Sequence, residues 1–97
     1  MATNNEPLHL RLYIAGNAPN STRAQANLAA ICQGLSPDQI DLEIIDVLRD
    51  PLRALRDQVF VTPVLRKLAP LPEAQIVGDL SDETRVRHAL GLGEVER

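Results

Sequence analysis

The chain carries one cysteine, Cys32, among its 97 residues. A lone thiol cannot close an intramolecular disulfide, and no cysteine cluster exists to hold a metal. Paired-thiol disulfide exchange is therefore excluded by count, and a single thiol suits a reducing compartment. Aromatics are almost missing: Tyr13 and Phe60 stand alone, without any tryptophan. Together with a net charge of −3, this argues against nucleic acid as a partner, which calls for a basic balance and stacking rings. No apolar run approaches the ~20 residues of a membrane span. Residues 1–7 are polar, lack the apolar heart of a signal peptide and read as a disordered leader. The cytoplasm is the default location. Histidine is scarce too; His9 and His88 have no motif partner, and no Gly-Lys-Ser/Thr phosphate loop is present.

What remains is aliphatic and ordinary. The hydrophobic fraction is 44% and the charged fraction 24%, as in a globular protein. The length fits one domain, which at this size buries only ~60–65% of its unfolded surface. Leu8, Leu10, Leu12 and Ile14 alternate with His9, Arg11 and Tyr13, a strand pattern. Gly16-Asn17-Ala18-Pro19 is loop chemistry, and Asn20 or Ser21 is placed to cap a helix. Ala24, Leu28, Ile31, Cys32 and Leu35 then share one helical face, and Gly34 can end it.

Ile40, Leu42 and Ile44 alternate, while Ile45 and Val47 make the second face apolar, so this strand reads as interior and covered on both sides. Asp50-Pro51 is a helix start, with Leu52, Leu55 and Val59 expected inward. Val64, Leu65 and Leu68 suggest a third strand, and Ile76-Val77 a short fourth. Ser81 caps a last helix whose inward residues are Val86, Ala89 and Leu90. The tail, 93–97, reads as flexible, leaving 8–92 as the domain. The order β-α-β-α-β-β-α is that of an α/β, thioredoxin-like fold, with a parallel first unit and a hairpin in the second half.

Catalytic plans fail on these residues. The thioredoxin thiolate sits at the start of the first helix, where the helix dipole lowers its pKa; here that segment is Gly16 to Ser21, without cysteine. Cys32 reads as a packed core thiol, its alternative being a single-cysteine thiol enzyme. Asp41 and Glu43 share one strand face and Asp46 lies opposite, which suits solvated charge or a strand-end contact. Arg49, Arg53 and Arg56 stand at i, i+4 and i+7, either a solvated face or a docking stripe for an acidic partner, with Asp50 and Asp57 partly neutralising it.

Several segments together resemble the circadian-clock KaiB family. Leu12-Tyr13-Ile14-Ala15-Gly16-Asn17-Ala18-Pro19-Asn20-Ser21-Thr22-Arg23-Ala24 is similar to the family's first strand and loop. Ile44-Ile45-Asp46-Val47-Leu48 with Pro51, Thr62-Pro63-Val64-Leu65 and Ile76-Val77-Gly78-Asp79-Leu80-Ser81 follow in family order. The likeness spans residues 8–90. It implies a non-enzymatic clock component without cofactor or metal, which binds the hexameric ATPase KaiC after KaiC is phosphorylated, the complex then sequestering KaiA. The kinase SasA begins with a similar domain, and this chain looks like the free-standing form. Gly16, Asn17, Pro19, Asn20, Ser21 and Arg23 are then candidates for partner contact, against the reading that the loop only turns the chain and Arg23 is solvated. Arg53, Arg56 and Lys67 are further candidates.

The resemblance also implies metamorphism: a tetrameric ground state with a different second half, and a thioredoxin-like monomer that binds KaiC. In the latter the Thr62-Pro63 bond is expected cis. Two departures bear on this. Relatives carry paired arginines where this chain has Ala74 and Gln75, which favours a paralogue with another signalling or stress partner. They also read Gly-Leu-Asp where it reads Ala89-Leu90-Gly91. Alanine is favoured over glycine within a helix by ~0.8–1 kcal/mol, enough to shift a switch whose gap is only a few kcal/mol. Pro63, Ala89 and Gly91 are therefore the candidate switch positions.

Overall fold

A computed structural model describes residues 6–93; the expected leader and tail lie for the most part outside the described residues. Four strands form one sheet in the order β2-β1-β3-β4. β1 (Leu8–Ile14) runs parallel to β2 (Ile40–Asp46), and antiparallel β3 (Val64–Ala69) joins β1 to β4 (Ala74–Val77). Helices α1 (Pro19–Ile31) and α3 (Glu83–Leu90) cover one face, and the short helix α2 (Pro51–Arg56) lies with the other. The expected element order and thioredoxin-like arrangement are present.

The main core follows from the alternation in β1. Leu8, Leu10, Leu12 and Ile14 all point to the α1/α3 face, where Ala24, Leu28, Ile31, Leu65, Ile76, Val86 and Leu90 close over them. Full burial of a leucine is worth ~1.5–3 kcal/mol, so Leu28→Ala in the middle of this cluster is a change that would open a costly cavity. The other face holds a smaller cluster of Tyr13, Ile45 and Val64. Tyr13, which falls on the polar register of β1, is completely buried there.

The structure corrects several local expectations. α1 begins at Pro19 with Ala18 at its cap position and no side-chain cap; Ser21 instead accepts a hydrogen bond from the Ala15 backbone N–H at 3.0 Å. The α-helix ends at Ile31, and Cys32–Gly34 tightens into a 3-10 turn. β2 is an edge strand, not an interior one. With a neighbour on one side only, Leu42 and Ile44 stay exposed and Ile45 is its one buried residue. Asp50 caps α2 as expected, its carboxylate accepting the Arg53 N–H, with Pro51 following. Leu52 and Leu55, however, are 78% and 68% exposed, and Ala54 is the inward residue. Arg53 and Asp57 turn towards the sheet beside Ala54, bonded to Glu43 and Tyr13. Asp82, not Ser81, caps α3, accepting the Arg85 N–H.

The Thr62–Pro63 bond is cis as expected, and Ala69–Pro70 and Leu71–Pro72 are cis as well. Ala89 is helical and half-buried against the main core. Gly91 is the C-cap of α3 at φ 75°, the left-handed conformation that glycine adopts without penalty.

Candidate functional site

The strand directions bring four segments to one end of the sheet. β1 and β2 finish there at Ile14 and Asp46, β3 begins there at Val64, and β4 finishes there at Val77. The loop after β1, the turn after β2, the Pro63 segment and the Gly78–Ser81 segment are consequently neighbours. Their backbones are tied together: the Gly78 N–H donates to the Pro63 carbonyl at 2.9 Å, and Asn27 of α1 donates through Nδ2 to the Asp79 carbonyl at 2.8 Å.

The loop itself is held from beneath. Asp46 Oδ1 accepts the Gly16 N–H and the Leu48 N–H, both at 3.0 Å, so one carboxylate pins two loops. Gly16 sits at φ 54°, a backbone conformation that calls for glycine, and a Cβ there would come within 3.2 Å of the exposed Leu48 side chain, which would have to shift slightly. With Ser21 turned inward onto Ala15, the outward residues are Asn17, Ala18, Pro19 and Asn20. Arg23 is exposed one turn into α1. Its guanidinium hydrogen-bonds the Asn20 side-chain oxygen and stands 3.4 Å from Asp79. Hydrogen bonds from Ser81, then the Arg23 charge, hold the Asp79 carboxyl below the usual range. A surface of defined shape results, with a cation fixed at its edge.

The other candidates fall elsewhere. Lys67 is only 5% exposed, on the core-facing register of β3 and well away from the loop end; a buried stem makes it a poor contact residue. Arg53 is 17% exposed and fully engaged. It donates to both oxygens of Glu43, at 3.1 and 2.9 Å, and through Nε to Asp57 Oδ2 at 2.9 Å. Arg56 is exposed on α2. Asp57 joins α2 to the sheet: Tyr13 donates its hydroxyl to the same Oδ2 at 2.8 Å, Arg11 lies 3.8 Å away, and Arg66 stacks 5.2 Å from the Tyr13 ring while bonding the Asp57 and Gln58 carbonyls. Burial alone would raise the Asp57 carboxyl; the bonds from Tyr13 and Arg53 outweigh it and hold it below its ordinary value. The Tyr13 phenol moves up, from burial and then from Asp57.

Sequence reasoning singled out the loop but not what holds it. Asp46 was legible as a strand-end contact. Asp57 and Tyr13 gave no signal beyond their chemistry, since their pairing spans 44 positions. Cys32 is half-buried against the core edge, and burial raises its thiol pKa, the opposite of what a nucleophilic thiol requires. Among the described residues no group of three or more His, Cys, Asp or Glu could hold a metal ion, and no helix is long and apolar enough to cross a membrane.

The KaiB domain model matches residues 11–92. The chain belongs to the KaiB family. It is 48% identical over 83 residues to the circadian clock protein KaiB3 of Synechocystis, covering 86% of this chain and 79% of that one. It is 44% identical over 89 residues to the circadian clock oscillator protein KaiB of Synechococcus elongatus, covering 90% and 87%. Among solved structures, the N-terminal domain of Synechococcus elongatus SasA superposes with a TM-score of 0.69 at 24% identity, covering all of this chain and 95% of that one. The thioredoxin Deadhead of Drosophila melanogaster gives 0.70 at 16%, covering 90% and 81%. These two likenesses show the thioredoxin-like fold. A KaiB-family chain is thus seen here in that fold.

Proposed function

We propose that this KaiB-family chain is a cytoplasmic, non-enzymatic timing component that binds a KaiC-type hexameric ATPase and regulates its phosphorylation cycle. The observation that carries the reading is the loop end: Asn17, Pro19 and Asn20 are presented outward on a backbone fixed by Asp46 and Ser21, beside an Arg23 already oriented by Asn20 and Asp79. Preorganised polar groups lower the ordering cost of association. Fold switching between a tetramer and this monomeric arrangement, at Pro63, Ala89 and Gly91, belongs to the same reading, as do KaiA-like or histidine-kinase partners that share or follow the ATPase.

A second reading, a paralogue with another partner, is favoured by one observation. The family resemblance implies arginine at position 75; Gln75 stands there, its side-chain oxygen accepting from Arg66 Nε at 2.8 Å, so this side chain offers a partner no cation. Size-exclusion co-migration with the KaiC-type hexamer from the same organism, in phosphomimetic and unphosphorylated forms, tests both. Co-migration that depends on the phosphomimetic form and weakens in Arg23→Ala supports the clock reading. Failure with both forms, for folded protein given hours to switch, selects the second.

A further inference from the structure

The end of the sheet opposite the loop holds a cleft of about 710 Å³, within the ~300–1,000 Å³ of small-molecule sites. The topology sets its walls. β1 starts at this end at Leu8 and β3 finishes there at Ala69, while α1 and α3 run down to it and stop at Ile31 and Leu90. Leu8, Leu35, Leu90 and Leu92 supply its apolar lining. Leu8 and Leu90 are buried members of the main core, and Leu35 and Leu92 pack against it. The walls are thus fixed by the same packing that holds the fold together.

Charge at the cleft is of one sign. Among the described residues, the ionisable groups that line it are Glu6 and Asp38, both acidic. The Ser36 hydroxyl donates to Asp38 Oδ1 at 2.7 Å and holds that carboxyl below its ordinary value, so it is ionised at neutral pH. Gln39 Oε1 accepts the Ser36 N–H at 2.7 Å, which braces the turn that carries Asp38. The helices add to the same sign, because the carbonyl end of a helix carries about half a negative charge. α1 has no basic residue in its last turn. In the last turn of α3, Arg87 is drawn onto the Leu92 and Gly93 carbonyls and His88 is exposed; neither lines the cleft.

From these observations we infer that the cleft is a binding site for a small organic cation, whose apolar body lies against Leu8, Leu35, Leu90 and Leu92 and whose ammonium group meets Asp38 at the rim. A second copy of the chain is disfavoured as occupant, since two-fold pairing would set Glu6 and Asp38 of one copy against those of the other. The cleft lies at the far end of the sheet from Arg23 and Asp79, so it stands whether or not the loop end binds an ATPase.

Phenylbutylamine, charged at neutral pH like a lysine side chain, is the probe, with phenylbutanol and phenylbutyrate as its neutral and anionic counterparts. Each is titrated into the 15N-labelled protein at low salt. The amine should saturate, with shifts centred on Leu8, Leu35, Gly91 and Leu92. It should bind about threefold more tightly than the alcohol, the scale of a charge at a helix end, and the carboxylate should bind more weakly than both. Asp38→Lys should weaken the amine about threefold or more, as for an exposed ion pair, and leave the alcohol within about twofold. Asp38 is exposed, so far-ultraviolet circular dichroism should show an unchanged fold. Asp38→Asn, which keeps an acceptor for Ser36, should move the amine in the same direction by less. Equal affinity for amine and carboxylate, no saturable shift with any probe, or shifts centred on the loop end or α2 would overturn the inference. So would amine binding that appears only once residues 94–97 are removed, which would assign the cleft to the chain's own end. A dimer in sedimentation equilibrium that the amine dissolves would overturn it too, by assigning the cleft to a second copy.

Discussion

Asp57→Ala should be among the most damaging single changes outside the aliphatic core. The carboxylate is 12% exposed and accepts from a Tyr13 hydroxyl that is completely buried. Removing it strands that hydroxyl, which costs about 1–3 kcal/mol, and also takes away the anion facing Arg53 and Arg11. A loss of about 2–4 kcal/mol is expected, a large share of the ~5–15 kcal/mol of a typical domain. Asp57→Asn keeps an acceptor oxygen and should lose only about 1 kcal/mol. Tyr13→Phe alone should also cost about 1 kcal/mol, but in the Asp57→Ala background it should cost nothing or stabilise, because it deletes the stranded group. Urea unfolding followed by circular dichroism measures all four forms, and the cycle should return a coupling of about 1–2 kcal/mol. The pH dependence follows in sign. Asp57 has a folded-state pKa below its unfolded value, so its stabilisation is present above about pH 4 and fades as pH falls through the lower folded-state value. Asp57→Asn should flatten that part of the acid limb. Asp57→Ala within about 0.5 kcal/mol of the parent, or strict additivity with Tyr13→Phe, would refute the assignment of Asp57 as the clasp between α2 and the sheet.

Gly91→Ala should cost about 1 kcal/mol in the same assay, since a Cβ there meets nothing within 4 Å and only the φ of 75° is at stake. Ala89→Gly should cost a similar ~1 kcal/mol in helix propensity, and under the proposed function it should also shift size-exclusion elution towards the tetramer; unchanged elution would break that link. Leu52→Ser should stay within about 0.5 kcal/mol of the parent, as for an exposed site; a larger loss would show that α2 packs by its leucines after all. Cys32 should alkylate with iodoacetamide more slowly than free cysteine at the same pH, since burial raises its pKa; an equal or faster rate would revive the thiol-enzyme reading.

The legible parts of the fold are those set by local periodicity. β1, α1 and α3 each carry an apolar pattern that matches the face they bury, and Asp50-Pro51 announces a helix start that the structure keeps. The misreadings come from long-range partners. Ile40, Leu42, Ile44 and Ile45 look like an interior strand, but the pattern cannot say how many neighbours a strand acquires. Leu52 and Leu55 look inward because apolar residues usually are; Glu43 and Tyr13, which bond Arg53 and Asp57 and so set the helix's orientation, lie on other strands and are invisible at α2. Ser21 and Ser81 have the chemistry of caps, yet the cap positions are Ala18 and Asp82; the Ser21 hydroxyl accepts from the Ala15 N–H, and Ser81 donates its backbone N–H to Asp79. At the loop end, Gly16 through Arg23 stood out by resemblance, whereas the brace through Asp46 and Asp79 required the sheet to bring distant segments together.

The strand order has a consequence for how the molecule comes apart. Residues 8–56 form a parallel unit, residues 64–90 a hairpin with its helix, and backbone pairing between them runs along the single β1–β3 ladder. Within each unit the strands are linked by nearby sequence, so the burden of long-range closure falls on that one seam. Native-state hydrogen exchange should therefore resolve two cooperative blocks, with the β1–β3 amides opening only when the blocks part, and the second block able to loosen as a whole while the first keeps its parallel pairing.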